Sequence, residues 1–222
     1  MEGALQGLGS LLPIGAWHAL QRDGAFRRYD AGAALLRQGE PGTHVLVLTA
    51  GRVKVTRVEP DGSELLLAIR GPGEVLGEIA VLDGATRSAT VTALDSCLTY
   101  VLPAVKFRRI IDEFRLQDVL LGHVLARWRE ADDIRAELAE LAASQRVVRT
   151  LIRFAVMAGS TTAAGRSVDV RLSQEELASA TGLSRSAVAA ELADLRKRGL
   201  VATARRRVVI LDVDGLRLLS DG

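Results

Sequence analysis

Cysteine occurs once in 222 residues, at Cys97, which rules out a disulfide framework or a four-cysteine iron–sulfur cluster within one chain. Its apolar, strand-like neighbours mark it as a buried small hydrophobe. Aromatic residues make up only 4% of the chain, so its cores are aliphatic. The same scarcity disfavours a binder of single-stranded nucleic acid, which needs exposed stacking platforms. No uninterrupted run of about 20 apolar residues exists, and no basic region precedes an apolar stretch at the N-terminus. The expectation is a soluble, cytoplasmic protein with no membrane partner. His18, His44 and His123 show no paired spacing on a strand, so no metal site is assigned. No Ser-His-Asp arrangement stands out, no residue is read as catalytic, and the chain reads as not an enzyme.

What is present is a charge asymmetry. The net charge is only +2, but from Gln145 onward 13 Arg or Lys stand against 8 Asp or Glu, leaving −3 for the first 144 residues. A basic C-terminal part on a near-neutral chain points to an anionic partner at one end.

The apolar pattern changes three times. Leu11, Leu12, Ile14, Trp17 and Leu20 form a short helical lead-in. From Phe26 to about Val101, short β-branched and aliphatic runs are punctuated by glycine: 45–48, 53–58, 65–69 and 89–94 are the strand candidates. Pro60-Asp61-Gly62 is a hairpin turn between two of them. From Ala104 to Leu141 the spacing becomes helical. Val124, Ala131 and Leu138 recur every seven residues, Ile134 and Leu141 join the same seam, and Arg127 is its one polar residue. This seam predicts a long helix that pairs with its copy. A further helix over 145–158, a short strand over 168–172 and a terminal hairpin (200–204 and 207–211) complete the chain, with Arg205 and Arg206 at the hairpin tip.

Two constellations carry chemistry. Gly77-Glu78-Ile79-Ala80 is followed, nine residues after the glutamate, by Arg87-Ser88-Ala89. This puts a carboxylate, a guanidinium and a hydroxyl on what reads as a short loop between apolar strands. The carboxylate can accept from a ribose 2′-OH, the guanidinium can fork onto phosphate oxygens, and backbone N–H groups of a glycine turn can take the rest. A Glu78–Arg87 salt bridge that merely holds the loop is the competing reading. The second constellation is a helix-turn-helix. Ser173 with Glu176 makes a capping box, Thr181-Gly182-Leu183 a turn, and Ser184 the cap of a helix over 185–198 with Val188, Leu192 and Leu195 inward. Its leading end offers Ser184, Arg185, Ser186 and Ala189 to a major groove. Arg185 matches the guanine O6 and N7 acceptors, whereas Arg205 and Arg206 suit phosphates.

With these residues in view, the chain resembles the cyclic-AMP receptor protein (CRP–FNR) family of transcription regulators along nearly its whole length. The resemblance implies an α+β fold: an N-terminal antiparallel β-roll of the cyclic-nucleotide-binding jelly-roll type (1–108), a long dimerisation helix (109–144) and a C-terminal winged helix-turn-helix (145–222). It implies that Glu78 binds ribose, that Arg87 and Ser88 bind the cyclic phosphate, and that backbone at Gly77, Ile79 and Ala80 closes the pocket. Val55, Leu67 and Ile69 fall where the family packs the base. Two departures stand out. Where cyclic-AMP-responsive members carry a Thr-Ser pair on the long helix, this chain has Ala131 and Asp132, and an Asp carboxylate suits the donors of guanine. Where the family's recognition helix often has Glu and a second Arg, this chain has Ser186 and Ala190. The implied function is a homodimeric regulator binding a near-palindromic duplex under control of a cyclic nucleotide, cyclic AMP ahead of cyclic GMP, with RNA polymerase a further partner. The alternatives are a member that binds DNA without a nucleotide or senses another effector, and a nucleotide sensor that docks a protein.

Overall fold

The computed structural model describes residues 7–158, 167–204 and 207–220. They fall into two compact units, one drawn from 1–58 and 70–130, the other from 59–69 and 131–222. Arg205 and Arg206, read as the hairpin tip, lie outside the described residues.

The chain opens with a 3₁₀ turn (Gly7–Ser10) and helix α1 (Ile14–Arg22), then a run of strands: β1 (Ala25–Tyr29), β2 (Ala34–Leu36), β3 (His44–Ala50), β4 (Val53–Val58), β5 (Glu64–Arg70), β6 (Val75–Leu76), β7 (Thr90–Ala93) and β8 (Cys97–Pro103), all in the first unit except β5, which up to Ile69 belongs to the second. They build two four-stranded sheets in the orders β1-β8-β3-β6 and β2-β7-β4-β5. Antiparallel register runs through β1–β8, β3–β8 and β3–β6 in one sheet and through β2–β7 and β4–β7 in the other.

Strand β3 shows why the sheets stack as they do. Its near-continuous apolar run is buried on both faces, and successive side chains go opposite ways. Val45 and Val47 join Trp17, Leu102, Phe107 and Ile110 on the helical side. Leu46 and Leu48 join Leu36, Leu76, Val91 and Cys97 in the other cluster. Cys97 is wholly buried, and burial pushes its thiol up to about 11, in keeping with a small core hydrophobe. At the β4–β5 turn, Asp61 Oδ1 accepts from Ser63 N at 2.9 Å and from Ser63 Oγ at 2.7 Å, as the Pro-Asp-Gly reading predicts.

Two helical readings need correction. The 78–83 stretch is not loop: it winds into a six-residue helix, α2 (Glu78–Asp83), behind a left-handed Gly77. The 104–141 pattern is not one helix either. α3 (Ala104–Glu113) ends before Arg115, which takes φ +53°, and α4 (Gln117–Glu140) starts afresh. The apolar periodicity runs through the break because Ile110, Ile111, Leu116 and Leu120 all feed the same core cluster.

The second unit holds the end of α4, then α5 (Ala143–Ala158), β9 (Val168–Asp169), α6 (Gln174–Thr181), α7 (Arg185–Lys197), β10 (Val201–Ala204), β11 (Arg207–Ile210) and α8 (Val213–Ser220). β10, β11 and β9 form a three-stranded antiparallel sheet in that order. α5 touches α6, α7 and α8, and Val147, Leu151, Leu177, Val188, Leu192, Leu195 and Leu216 are buried. Among the described residues no helix is long and apolar enough to cross a membrane, and no group of His, Cys, Asp and Glu is placed to hold a metal ion.

Candidate functional site

The cassette is held by its own guanidinium. Arg87 Nη1 donates to the carbonyl oxygen of Gly77 at 2.6 Å, and Nη2 donates to the carbonyl oxygen of His44. Arg87's main chain is fixed as well: its N–H donates to Glu40 O at 2.8 Å, and its carbonyl accepts from Gly39 N at 2.9 Å. Only 4% of the residue is exposed. Gly77 stands at φ +81°, the left-handed region, so that the chain leaves β6 and enters α2 within one residue. A Cβ there would lie 2.3 Å from Arg87 Nη1 and 2.9 Å from Leu36 Cδ1.

Glu78, the first residue of α2, is buried. Burial pushes its carboxyl up to about 7, while its own and Gly77's main-chain N–H groups and the Arg70 and Arg87 charges pull the other way. Burial also lowers the Arg87 pKa, with Glu40 and Glu78 opposing that fall. The expected carboxylate and guanidinium are thus both buried beside the Gly77 turn, with the guanidinium held by the Gly77 and His44 carbonyls. Ala80 is buried, whereas Ile79 is 43% exposed and Ser88 is exposed. Val55 packs against the cluster containing Leu36 and Leu76. On β5, Leu66 and Ile69 are buried and Leu67 is 41% exposed. Asp132 belongs to the second unit, where it accepts from Arg135 at 2.6 Å.

Sequence reasoning passed over a second set of buried charges. Glu74, in the β5–β6 turn, accepts from Arg127 Nη2 at 2.6 Å and lies 3.9 Å from Arg70. Arg70 donates to both oxygens of Glu130, at 2.9 and 3.3 Å. Arg70, Glu74 and His123 are all buried. Burial and the Glu78 and Glu130 carboxylates push Glu74 upward against Arg70. The signal that could have found this set was Arg127 itself, the one guanidinium on an otherwise apolar seam.

In the second unit, Ser173 accepts from Glu176 N while the Glu176 carboxylate accepts from Ser173 N at 2.8 Å, the complete capping box. Gly182 ends α6 in the left-handed conformation. Ser184 accepts from Ala187 N at 3.2 Å and caps α7. Val188, Leu192 and Leu195 point inward, and Ser184, Arg185 and Ser186 are exposed at the leading end, with Ala189 half-buried behind them. The two serine hydroxyls lie 3.0 Å apart. At the wing, Arg207 is drawn to Asp169 of β9 at 2.9 Å.

Comparison with known proteins agrees with both halves. Residues 26–114 match the family model of the cyclic nucleotide-binding domain, and residues 145–219 match the Crp-like helix-turn-helix domain. The chain is 30% identical over 189 residues to the CRP-like cAMP-activated global transcriptional regulator of Mycobacterium tuberculosis, covering 85% of this chain and 84% of that one. It is 31% identical over 195 residues to the transcriptional regulator LdrP of Thermus thermophilus, covering 86% and 94%. Among solved structures, a CRP-family transcriptional regulator from Thermus thermophilus superposes with a TM-score of 0.71 at 27% identity, covering 88% of this chain and 97% of the other. The c-di-GMP-responsive global regulator CLP of Xanthomonas campestris shares the fold with a TM-score of 0.73 at 23% identity, covering 89% and 99%.

Proposed function

This chain belongs to the CRP/FNR family of transcription regulators, and from that premise we propose that it is a homodimer whose hold on DNA is set by a cyclic nucleotide bound between Glu78 and Arg87. The observation that carries the effector half is the burial of both an acid and a guanidinium at the left-handed Gly77 turn, which Arg87 itself holds. Glu78 accepts from the ribose 2′-OH. Arg87, which spends two of its five donors on carbonyls, forks the remainder onto the cyclic phosphate together with Ser88. Main chain at Gly77, Ile79 and Ala80 closes the pocket, and Val55 and Leu67 pack the base.

Cyclic AMP is the leading effector and cyclic GMP the second. The case for cyclic GMP is Asp132: its carboxylate accepts only, and would suit the N1–H and N2 donors of guanine. The functional division is effector domain 1–108, dimerisation helix 109–144 and reader 145–222. At the reader, Arg185 enters the major groove and specifies, Ser184 and Ser186 contact phosphate or base, and Arg205 and Arg206 position the wing on phosphates. Two-fold symmetry then calls for half-sites about 34 Å apart. Nucleotide acts by population shift, binding better to the state that holds the two readers at that separation.

The test is a gel-shift titration on genomic fragments with cyclic AMP, cyclic GMP or neither. Nucleotide-dependent affinity for a near-palindromic fragment is the expected result. Equal affinity under all three conditions, with no heat of nucleotide binding by calorimetry, defeats the effector reading and leaves a constitutive DNA binder. Calorimetry with Asp132→Ala separates the nucleotides: equal cyclic GMP affinity in both proteins removes Asp132 from the pocket.

A further inference from the structure

Arg127 interrupts an apolar seam, and effector binding and DNA reading as described leave it without a task. It does not reach for solvent. Its Nη2 donates to Glu74 at 2.6 Å and its Nε to His123 Nε2 at 3.3 Å. His123, Arg127 and Glu130 stand at i, i+4 and i+7, one stripe of α4, and Glu130 takes Arg70 of β5. Leu121 and Trp128, 59% and 61% exposed, occupy the opposite side of the helix. α4 therefore carries a charged stripe bound into its own unit and an apolar stripe facing out.

The other end of the tie is four residues from the effector acid. Glu74 is 4% exposed, and only the two-residue strand Val75–Leu76 and Gly77 separate it from Glu78. Its carboxylate also accepts from the Leu8 N–H. A Cβ on Gly7 would lie 2.2 Å from the Glu74 carboxyl carbon, so the first described turn closes directly over it. Three elements thus meet on one buried carboxylate.

Stability does not explain this choice. Desolvating two charges consumes what their attraction returns, and apolar side chains of similar volume do as well or better. What an ion pair adds is a discrete partner that can be kept or lost. Glu74 also feels the charge of Glu78, at the far end of β6 and the Gly77 turn, so a ligand contact that moves or neutralises Glu78 alters the field in which Glu74 holds Arg127.

We infer that Glu74 and Arg127 form a positioning pair that couples the effector cassette to the long helix. The inference rests on the nucleotide reading above for its signal, but not for its first test. Without any nucleotide, amide hydrogen exchange compares the wild-type protein with Arg127→Met. Exchange at 75–80 rises roughly tenfold while β8 stays protected; unchanged exchange at 75–80 overturns the pair. The second test uses the double variant Glu74→Leu/Arg127→Leu, which fills the site with apolar groups. It unfolds at or above the wild-type temperature and binds cyclic AMP and cyclic GMP as the wild type does, yet its affinity for a duplex selected by the wild type no longer responds to either nucleotide. A double variant with the full nucleotide response reduces the pair to packing and overturns the inference. A wild type that ignores both nucleotides defeats the effector reading instead, and the exchange result then judges the pair alone.

Discussion

Arg87 Nη1 donates to the Gly77 carbonyl oxygen at 2.6 Å, so the guanidinium proposed to hold phosphate also holds the turn that presents Glu78. Arg87→Ala leaves the Gly77 and His44 carbonyls without that donor, which costs about 1–3 kcal/mol. The variant remains folded, melts lower and shows no heat of nucleotide binding. Arg87→Lys recovers part of the stability but not the binding, because an ammonium cannot fork. Undiminished binding by Arg87→Ala would make Arg87 and Glu78 a structural pair.

Gly77→Ala strikes the same turn from the other side. At φ +81° an L side chain is strained by about 1–2 kcal/mol. Its Cβ would also meet Arg87 Nη1 at 2.3 Å and drive the guanidinium off its carbonyls. Nucleotide affinity falls further than the melting temperature alone accounts for. Calorimetry beside thermal unfolding checks this, and a variant with wild-type affinity shows that Arg87 binds from elsewhere.

Glu78 makes the stability of this unit pH-dependent. Its folded pKa, raised to about 7 by burial, exceeds the ordinary 4.5. Between these values the folded state binds more protons than the unfolded state, so stability falls as pH rises from about 4.5 to about 7 and is level above. The full shift corresponds to roughly 3 kcal/mol. Glu74, raised to about 7 by burial as well, adds a like slope, so Glu78→Gln removes about half of it, which thermal unfolding from pH 5 to pH 8 reads directly; an identical slope in the variant assigns it to Glu74 and other groups. If ionised Glu78 is the ribose acceptor, nucleotide affinity rises over the same interval.

How far the sequence was legible follows from where the signals are local. The capping box at Ser173 and Glu176, the Ser184 cap and the inward Val188, Leu192 and Leu195 are all contained in one helix or one turn, and they stand where the pattern puts them. β3, β4 and β5 were visible as apolar runs between glycines, whereas β1, with Phe26, Arg27 and Arg28 exposed, lacks the apolar alternation that marks a strand. α2 escaped notice because six residues are too few to show a helical period, and what starts the helix is Gly77's backbone. The Glu74–Arg127 tie escaped for a different reason: it joins residues 53 positions apart, and no local period records a contact at that distance. Trp128 and Leu121 lie off the seam read from Val124, Ala131 and Leu138, and they are the large apolar residues that α4 leaves most exposed.

Removing the capping oxygen tests the reader's scaffold apart from its contacts. Ser173→Ala takes the acceptor from the Glu176 N–H, leaves the bond from the residue 173 N–H to the Glu176 carboxylate in place, and costs about 1 kcal/mol. Unfolding of the C-terminal unit shifts down while nucleotide binding is unchanged. A variant of wild-type stability would show that solvent replaces the cap without loss.

Arg185 is the sharpest point at which the DNA reading can be broken. It is exposed at the first position of α7, where side chains reach base edges, while the buried residues that hold the helix, Val188, Leu192 and Leu195, lie behind it. Truncation should therefore leave the fold untouched and remove one bidentate contact. Arg185→Ala lowers affinity for the selected duplex by about 1–3 kcal/mol and relaxes preference at one base pair in each half-site. The slope of affinity against salt barely moves, because a base contact releases no phosphate counterion. Substituting each base pair of the duplex in turn, at two salt concentrations, separates the outcomes. Uniform weakening on every sequence with a shallower salt slope would place Arg185 on the phosphates and transfer base reading to Ser186 and Ala189.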